Sequence, residues 1–200
     1  MLSMLVLNKI LAVQIGPSGL SFVGQLQNII TASTVIASAG FSNGVTKYTA
    51  EYKTNVEKRR KVWITAVSTG AVSSLLLAIG IVFFHKTLTA YLLPNSGHPS
   101  LLLWVALAVL FYSLNQFFLA AINGMGDLNL YIYASIAGSL IALVTTGTFT
   151  YVWGLPGALV GFILNQAFAC VATIALTRKK VWFQLDNFLG RADGAALKKL

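Results

Sequence analysis

The sequence predicts an all-α polytopic membrane protein of about six transmembrane helices forming one bundle, and three observations carry that prediction. The chain of 200 residues is 56% hydrophobic and only 10% charged, with a mean hydropathy of +0.76, whereas soluble globular chains carry about 25% charged residues. Its apolar residues fall into six long runs, each near the ~20 residues that a helix needs to cross hydrocarbon, without the period-two alternation of a barrel strand. The net charge of +9, from 14 Lys and Arg against 5 Asp and Glu, is concentrated between those runs. In a soluble protein such charge would suggest nucleic acid; here it is a topology signal, and no nucleic-acid partner is expected.

The first span, residues 1–15, is short and holds Lys9. A signal peptide fits poorly, because no basic stretch precedes the apolar run and no small-x-small cleavage site follows it. Gly16-Pro17 makes a turn into the second span, 21–41, which ends at Asn43-Gly44. Val45, Tyr48, Tyr52 and Val56 then recur at helical spacing with charges between them, the pattern of a short helix at the membrane interface. Thr54 and Glu57 have capping-box spacing, so a further helix is expected to start there and run through Arg59 and Arg60 into the third span, 62–84. Pro94-Asn95 lies in the next connection, before the fourth span, 101–122. Asn123-Gly124 turns the chain into the fifth span, 130–153, and Pro156-Gly157 into the sixth, 158–177. Residues 1–177 thus form the bundle. Residues 178–200 read as a basic amphipathic linker, in which Val181, Trp182, Leu185, Phe188 and Leu189 flank Arg178-Lys179-Lys180.

Orientation follows from the positive-inside rule. Lys47, Lys53, Lys58, Arg59, Arg60 and Lys61 precede the third span, and Arg178, Lys179, Lys180, Arg191, Lys198 and Lys199 follow the sixth. An even number of crossings separates the two groups, which places both, and both termini, on the cytoplasmic side. The basic run there is a topology signal that also binds anionic inner-membrane lipids. Trp63, Trp104, Trp153 and Trp182 all fall near span ends, as expected of an aromatic belt at the headgroups.

No enzyme motif is present. Glu51, Glu57, Asp127, Asp186 and Asp193 all fall in expected cytoplasmic segments, leaving no carboxylate pair within the membrane. Cys170 reads as a small buried residue, and His85 and His98 lack the partners of a metal site. Neither a metal nor a cofactor is expected. Lys9 is the one ionisable group inside a span, where a Lys costs about 2.5–3.5 kcal/mol on insertion scales. Two readings stand open for it: snorkelling past Gly16, about 10 Å away along the helix, or facing a hydrated cavity as an anion ligand. Amides form a second candidate site. Asn28 lies on a weakly polar stripe of the second span, Asn115 and Gln116 on the fourth, and Asn165 and Gln166 on the sixth. Amides also join helices in bilayers, but this concentration suits presentation of hydroxyl-binding groups to a sugar. Gly157 and Gly161 have small-xxx-small spacing for close helix packing.

The run Gly40-Phe41-Ser42-Asn43-Gly44-Val45-Thr46-Lys47-Tyr48, with Lys9-Ile10-Leu11-Ala12-Val13 and Gly16-Pro17-Ser18-Gly19-Leu20 before it, resembles the Wzx-type flippases of O-antigen and enterobacterial common antigen units. These belong to the MATE-like multidrug/oligosaccharidyl-lipid/polysaccharide exporter superfamily, in which two six-helix bundles alternate access around a central cavity. The resemblance implies a bacterial inner-membrane protein that translocates undecaprenyl-diphosphate-linked oligosaccharides, with a polysaccharide polymerase and other assembly proteins as partners. It implies a chain corresponding to the first bundle and the start of a linker to a second one. It also matches Lys9 to a family lysine, which favours the anion-binding reading, and makes Asn28, Asn115, Gln116, Asn165 and Gln166 the residues expected to face the glycan. The turn Asn123-Gly124-Met125-Gly126-Asp127 matches a family Gly-x-x-Asp turn but lacks the extra basic residues that relatives can carry there. Two other classes fit the composition: a drug or ion antiporter half of the same fold, and a non-transporting membrane assembly subunit.

Overall fold

A computed structural model describes residues 2–38, 41–92, 101–178, 180, 182 and 183. These form α1 (Leu2–Ser38), α2 (Phe41–Glu51), α3 (Val56–Leu92), α4 (Leu101–Gly124) and α5 (Leu128–Thr177), with no strand among them. α1, α3, α4 and α5 are each long and apolar enough to cross a membrane, and the protein is an all-α polytopic membrane protein.

Two of those helices are hairpins. α1 is broken at Gly16 (φ 70°, ψ −179°) and α5 at Gly154 (φ 60°, ψ −135°), backbone conformations in which glycine is the residue without a steric penalty. Each break is followed by a proline, Pro17 or Pro156, suited to the first turn of the helix that resumes, where its missing N–H costs nothing. The fold-back in α5 is visible in its contacts. A Cβ on Gly161 would stand 2.9 Å from Thr146 Cα, and one on Gly157 would stand 1.9 Å from the Phe149 carbonyl oxygen. An unbroken helix would hold residues 146 and 161 about 22 Å apart. In α1, Leu7 and Gln27 line the same cavity, although 20 residues of straight helix span about 30 Å. Among the described residues there are therefore six membrane-directed helical segments, and Gly157 and Gly161 give the close approach between the two legs of α5, the expected fifth and sixth spans. The second break, at Gly154, lies in the expected connection between the fifth and sixth spans.

The segments pack around two apolar clusters. One joins Leu7, Leu11, Val23 and Ile30 of α1 to Ile81 of α3, Val105 and Val109 of α4, and Leu159 and Ile163 of α5. Outward stripes such as Val72, Leu75, Leu76, Ile79 and Phe83 on α3 are exposed, a surface suited to lipid tails and unsuited to water.

The other cluster sits where α2, the start of α3, the end of α4 and the C-terminal end of α5 meet, and it departs from expectation in four respects. Asn43-Gly44 is not a turn but lies inside α2, whose Phe41, Val45 and Thr49 are buried. The cap of α3 is Asn55, whose Oδ1 accepts from Lys58 N at 3.1 Å; Thr54 lies one residue too early to do this. The positive-φ turn after α4 is at Gly126 (φ 73°), while Gly124 is where α4 meets α2, since a Cβ there would lie 2.6 Å from Thr49 Cβ. Finally, Trp63 is not part of an outward belt. It is wholly buried, donates from Nε1 to Thr49 Oγ1 at 2.8 Å, and meets Trp182 edge-on with centroids 5.6 Å apart. Arg59 lies over its ring and donates to the Lys53 carbonyl at 2.7 Å. Trp104 and Trp153 are exposed, as a belt requires.

Both basic groups of the sequence reach this end. Lys180 pairs with Asp127 at 2.5 Å, and Asp127 also accepts from Leu130 N as the N-cap of α5. Lys180 with its neighbour Lys53 holds the Asp127 carboxyl below the usual carboxylate range, chiefly through the Lys180 hydrogen bond. Arg191, Lys198, Lys199, Leu185, Phe188 and Leu189 lie outside the described residues, as does His98.

Candidate functional site

Hydroxyls within the spans mostly satisfy themselves. Thr31 donates to the Gln27 carbonyl, Thr145 to Ile141, Ser139 to Ser135 and Thr173 to Ala169, each four residues back. Such back-bonding is available to a short side chain on a helix. An amide projects farther and needs a partner elsewhere, so the position of the amides decides where the bundle is polar.

α4 and α5 bring four of them together. Asn115, Gln116, Asn165 and Gln166 line one cavity of about 390 Å³ with Gln27, Tyr112 and Phe162. The stripes work because residues at spacing i, i+3 and i+4 share a helix face. Ser3 and Leu7 of α1 and Ser135, Gly138, Ser139 and Ala142 of α5 complete the walls. The Asn115 and Asn165 side-chain oxygens are buried without a hydrogen-bond partner. Buried polar groups in folded proteins are overwhelmingly paired, so these two oxygens are acceptors open to a donor from outside the described residues.

Asn28 is not in that cavity. It is exposed, and Gln27, one position and about 100° earlier on the helix, lines the wall instead. The stripe on this helix was displaced by one residue. Ser135 and Ser139 were missed altogether; their signal is the small-residue stripe Ser135-Gly138-Ser139-Ala142, which reads equally as helix packing.

Lys9 lies in a second, more open groove of about 770 Å³ between the first leg of α1 and the first leg of α5. Its walls include Ile10, Val13, Gln14, Gly147, Thr148 and Tyr151. Lys9 is exposed there, so its charge faces open space rather than the packed interior. Gly147 faces Ile10 across the groove, with room for a Cβ at an ordinary contact distance of 3.8 Å. The cavity and the groove are neighbours. Ser139, Leu143 and Gly147 follow one another at i+4 on α5, the first lining the cavity and the other two the groove.

Among the described residues, no three His, Cys, Asp or Glu side chains come together as a metal site would require. His85 Nδ1 lies 2.7 Å from the Val82 carbonyl oxygen of its own helix.

Comparison with known proteins gives one family and two close relatives. The family described as "Polysaccharide biosynthesis protein" matches residues 1–195. The chain is 32% identical over 178 residues to the "Lipid III flippase" of Escherichia coli (strain K12), covering 88% of this chain and 43% of that protein. The same figures hold for the "Lipid III flippase" of Shigella flexneri. The chain thus spans less than half the length of these relatives. No solved structure matches.

Proposed function

The chain belongs to the polysaccharide biosynthesis protein family, and on that footing we propose that it is the first bundle of a flippase that moves lipid-linked oligosaccharides across the bacterial inner membrane. The observation that carries this reading is the junction of an uncharged amide cavity with a groove holding Lys9, the one ionisable side chain of the first span. An undecaprenyl-diphosphate-linked glycan has matching parts. Its sugars present hydroxyls to Asn115, Gln116, Asn165 and Gln166, and its diphosphate pairs with Lys9. The names of the two relatives support the same substrate class, with units of enterobacterial common antigen or O-antigen as the cargo.

In this reading residues 178–200 are the start of a basic linker to a second bundle. The two bundles rock to expose the cavity to either side, and the end carrying Lys53, Arg59 and Lys180 faces the cytoplasm, where it also holds anionic lipid headgroups. The protein binds and moves its substrate without making or breaking covalent bonds, and hands it to polymerase and assembly proteins.

Lys9 supplies the test. In cells whose sole copy of the whole protein carries Lys9→Ala, glycan export is expected to fall several-fold, and in Lys9→Glu to be abolished, read as surface polysaccharide and accumulated lipid-linked precursor. Wild-type export by both variants would sink the anion role. Altered dye accumulation with unchanged surface glycan would instead favour a drug exporter of the same fold.

A further inference from the structure

We propose that the amide cavity seats an uncharged sugar that donates hydrogen bonds to Asn115 and Asn165, and that these two side chains set which glycan is accepted. The inference rests on the transport reading above and narrows it to a substrate class at one site.

Two buried acceptors without donors define half of the missing partner. Asn115 Oδ1 and Asn165 Oδ1 lack a hydrogen bond, and the Asn165 side chain is more than nine-tenths buried. A ligand group that fills them must be an O–H or N–H, because an unpaired buried acceptor keeps its full desolvation cost until a donor arrives. The walls define the other half. Among the described residues, no Lys, Arg, His, Asp or Glu lines this cavity. A carboxylate or phosphate entering it would lose its water and meet only neutral amides and hydroxyls with no counter-charge, which is the costly way to bury an ion. Tyr112 and Phe162 add apolar faces. A ligand with a ring of hydroxyl or acetamido donors and apolar C–H faces, as in a neutral pyranose, satisfies both sets of walls.

The negative charge of the same substrate has a separate place. From Ser139 to Gly147 the shared stripe of α5 climbs eight residues, about 12 Å by helical rise. The sugar nearest the diphosphate therefore sits among the amides while the phosphates lie beside Lys9. Discrimination follows from hydrogen-bonding to the sugar, since a site with buried polar groups rejects a ligand that leaves them unpaired far more strongly than an apolar pocket rejects an extra group.

The test uses the whole protein with both bundles in lipid nanodiscs and three probes measured by titration calorimetry: farnesyl diphosphate, the same diphosphate carrying N-acetylglucosamine, and the same carrying glucuronic acid. The neutral sugar is expected to tighten binding about tenfold or more over the bare diphosphate, and glucuronic acid to add nothing. In Asn115→Leu and Asn165→Leu that gain disappears, while binding of the bare diphosphate stays within about twofold, which also shows that the variants are folded. Equal gains from the two sugars, or a gain that survives both substitutions, would overturn the inference and leave the transport reading standing. A melting temperature of the ligand-free chain that rises with sodium and loses that rise in Asn165→Leu would also overturn it, in favour of a cation site. Failure of all three probes to bind the wild-type chain would remove the transport reading, and this inference with it.

Discussion

The basic end of the bundle and the amide cavity are built from similar materials to opposite purposes. At the basic end, most polar side chains end on specific partners, the Trp63 indole on Thr49, Asp127 on Lys180 and Leu130 N, and Thr46 Oγ1 on the Ser42 and Ala120 carbonyls, and Arg59 Nε is the buried exception. Phe118 and Phe183 close the same region with ring centroids 5.9 Å apart. In the cavity, Asn115 and Asn165 keep buried oxygens that nothing among the described residues satisfies. Between helices in a bilayer the hydrophobic effect supplies no drive to associate, so packing and polar contacts hold the bundle. The difference teaches where this chain spends its polar groups on holding itself together and where it leaves them available for a ligand.

Breaking the basic end should cost most. Trp63→Ala removes a fully buried indole, its bond to Thr49, the ring under Arg59 and the edge contact with Trp182. Truncation of a buried aromatic costs about 3–5 kcal/mol. The variant is expected to lose a large part of its thermal stability in detergent. A loss below about 1 kcal/mol would mean that the four elements meeting there do not depend on one another.

The cavity should respond in the opposite sense. Asn165→Leu deletes an orphaned acceptor and puts a methyl-bearing side chain of similar size in its place, a change that is close to neutral or stabilising when the lost group had no partner. The expected outcome is a stability equal to the wild type or higher by about 1 kcal/mol, together with loss of sugar-dependent binding. That pairing of gain and loss is the signature of a group retained for function at the expense of stability. A marked destabilisation would show that Asn165 is a packing residue after all.

How far each region was legible in the sequence follows from the range of the forces involved. Gly16-Pro17 could be placed because a positive-φ glycine before a proline is a local signal, complete within two residues. The amide groups of α4 and α5 could be placed because helical periodicity puts Asn115 with Gln116, and Asn165 with Gln166, on defined faces, and those faces turned out to meet. Periodicity alone did not set the register of α1, so Asn28 was chosen where Gln27 lines the wall. The sequence alone does not place Trp63, because its position near a span end is compatible with lipid or protein on its far side, and only the packing of Trp182 against it decides between them. The same holds for Gly124, whose role as the contact point for Thr49 depends on α2, an element with no sequence neighbour in common with it. Ser135 and Ser139 had no signal of their own, since small residues on a membrane helix mean close packing as readily as a polar wall.

The smallest effect belongs to the ion pair that joins the two ends of the α5 hairpin. Lys180 depresses the Asp127 carboxyl relative to its value in the unfolded chain. A depressed carboxyl stabilises the fold fully above the unfolded value of about 3.9, and that contribution fades as pH falls through the lower folded value. The unfolding midpoint of the wild type should therefore decline as pH drops below about 4, and Asp127→Asn, which keeps a side-chain oxygen for Leu130 N but carries no charge, should flatten part of that decline. Because the pair is partly exposed, its effect above pH 5 should be small and shrink further with added salt. Equal pH profiles for wild type and Asp127→Asn would show that Asp127 works as the cap of α5 alone, and that the hairpin stays closed through Gly154, Gly157 and Gly161 without help from its charged ends.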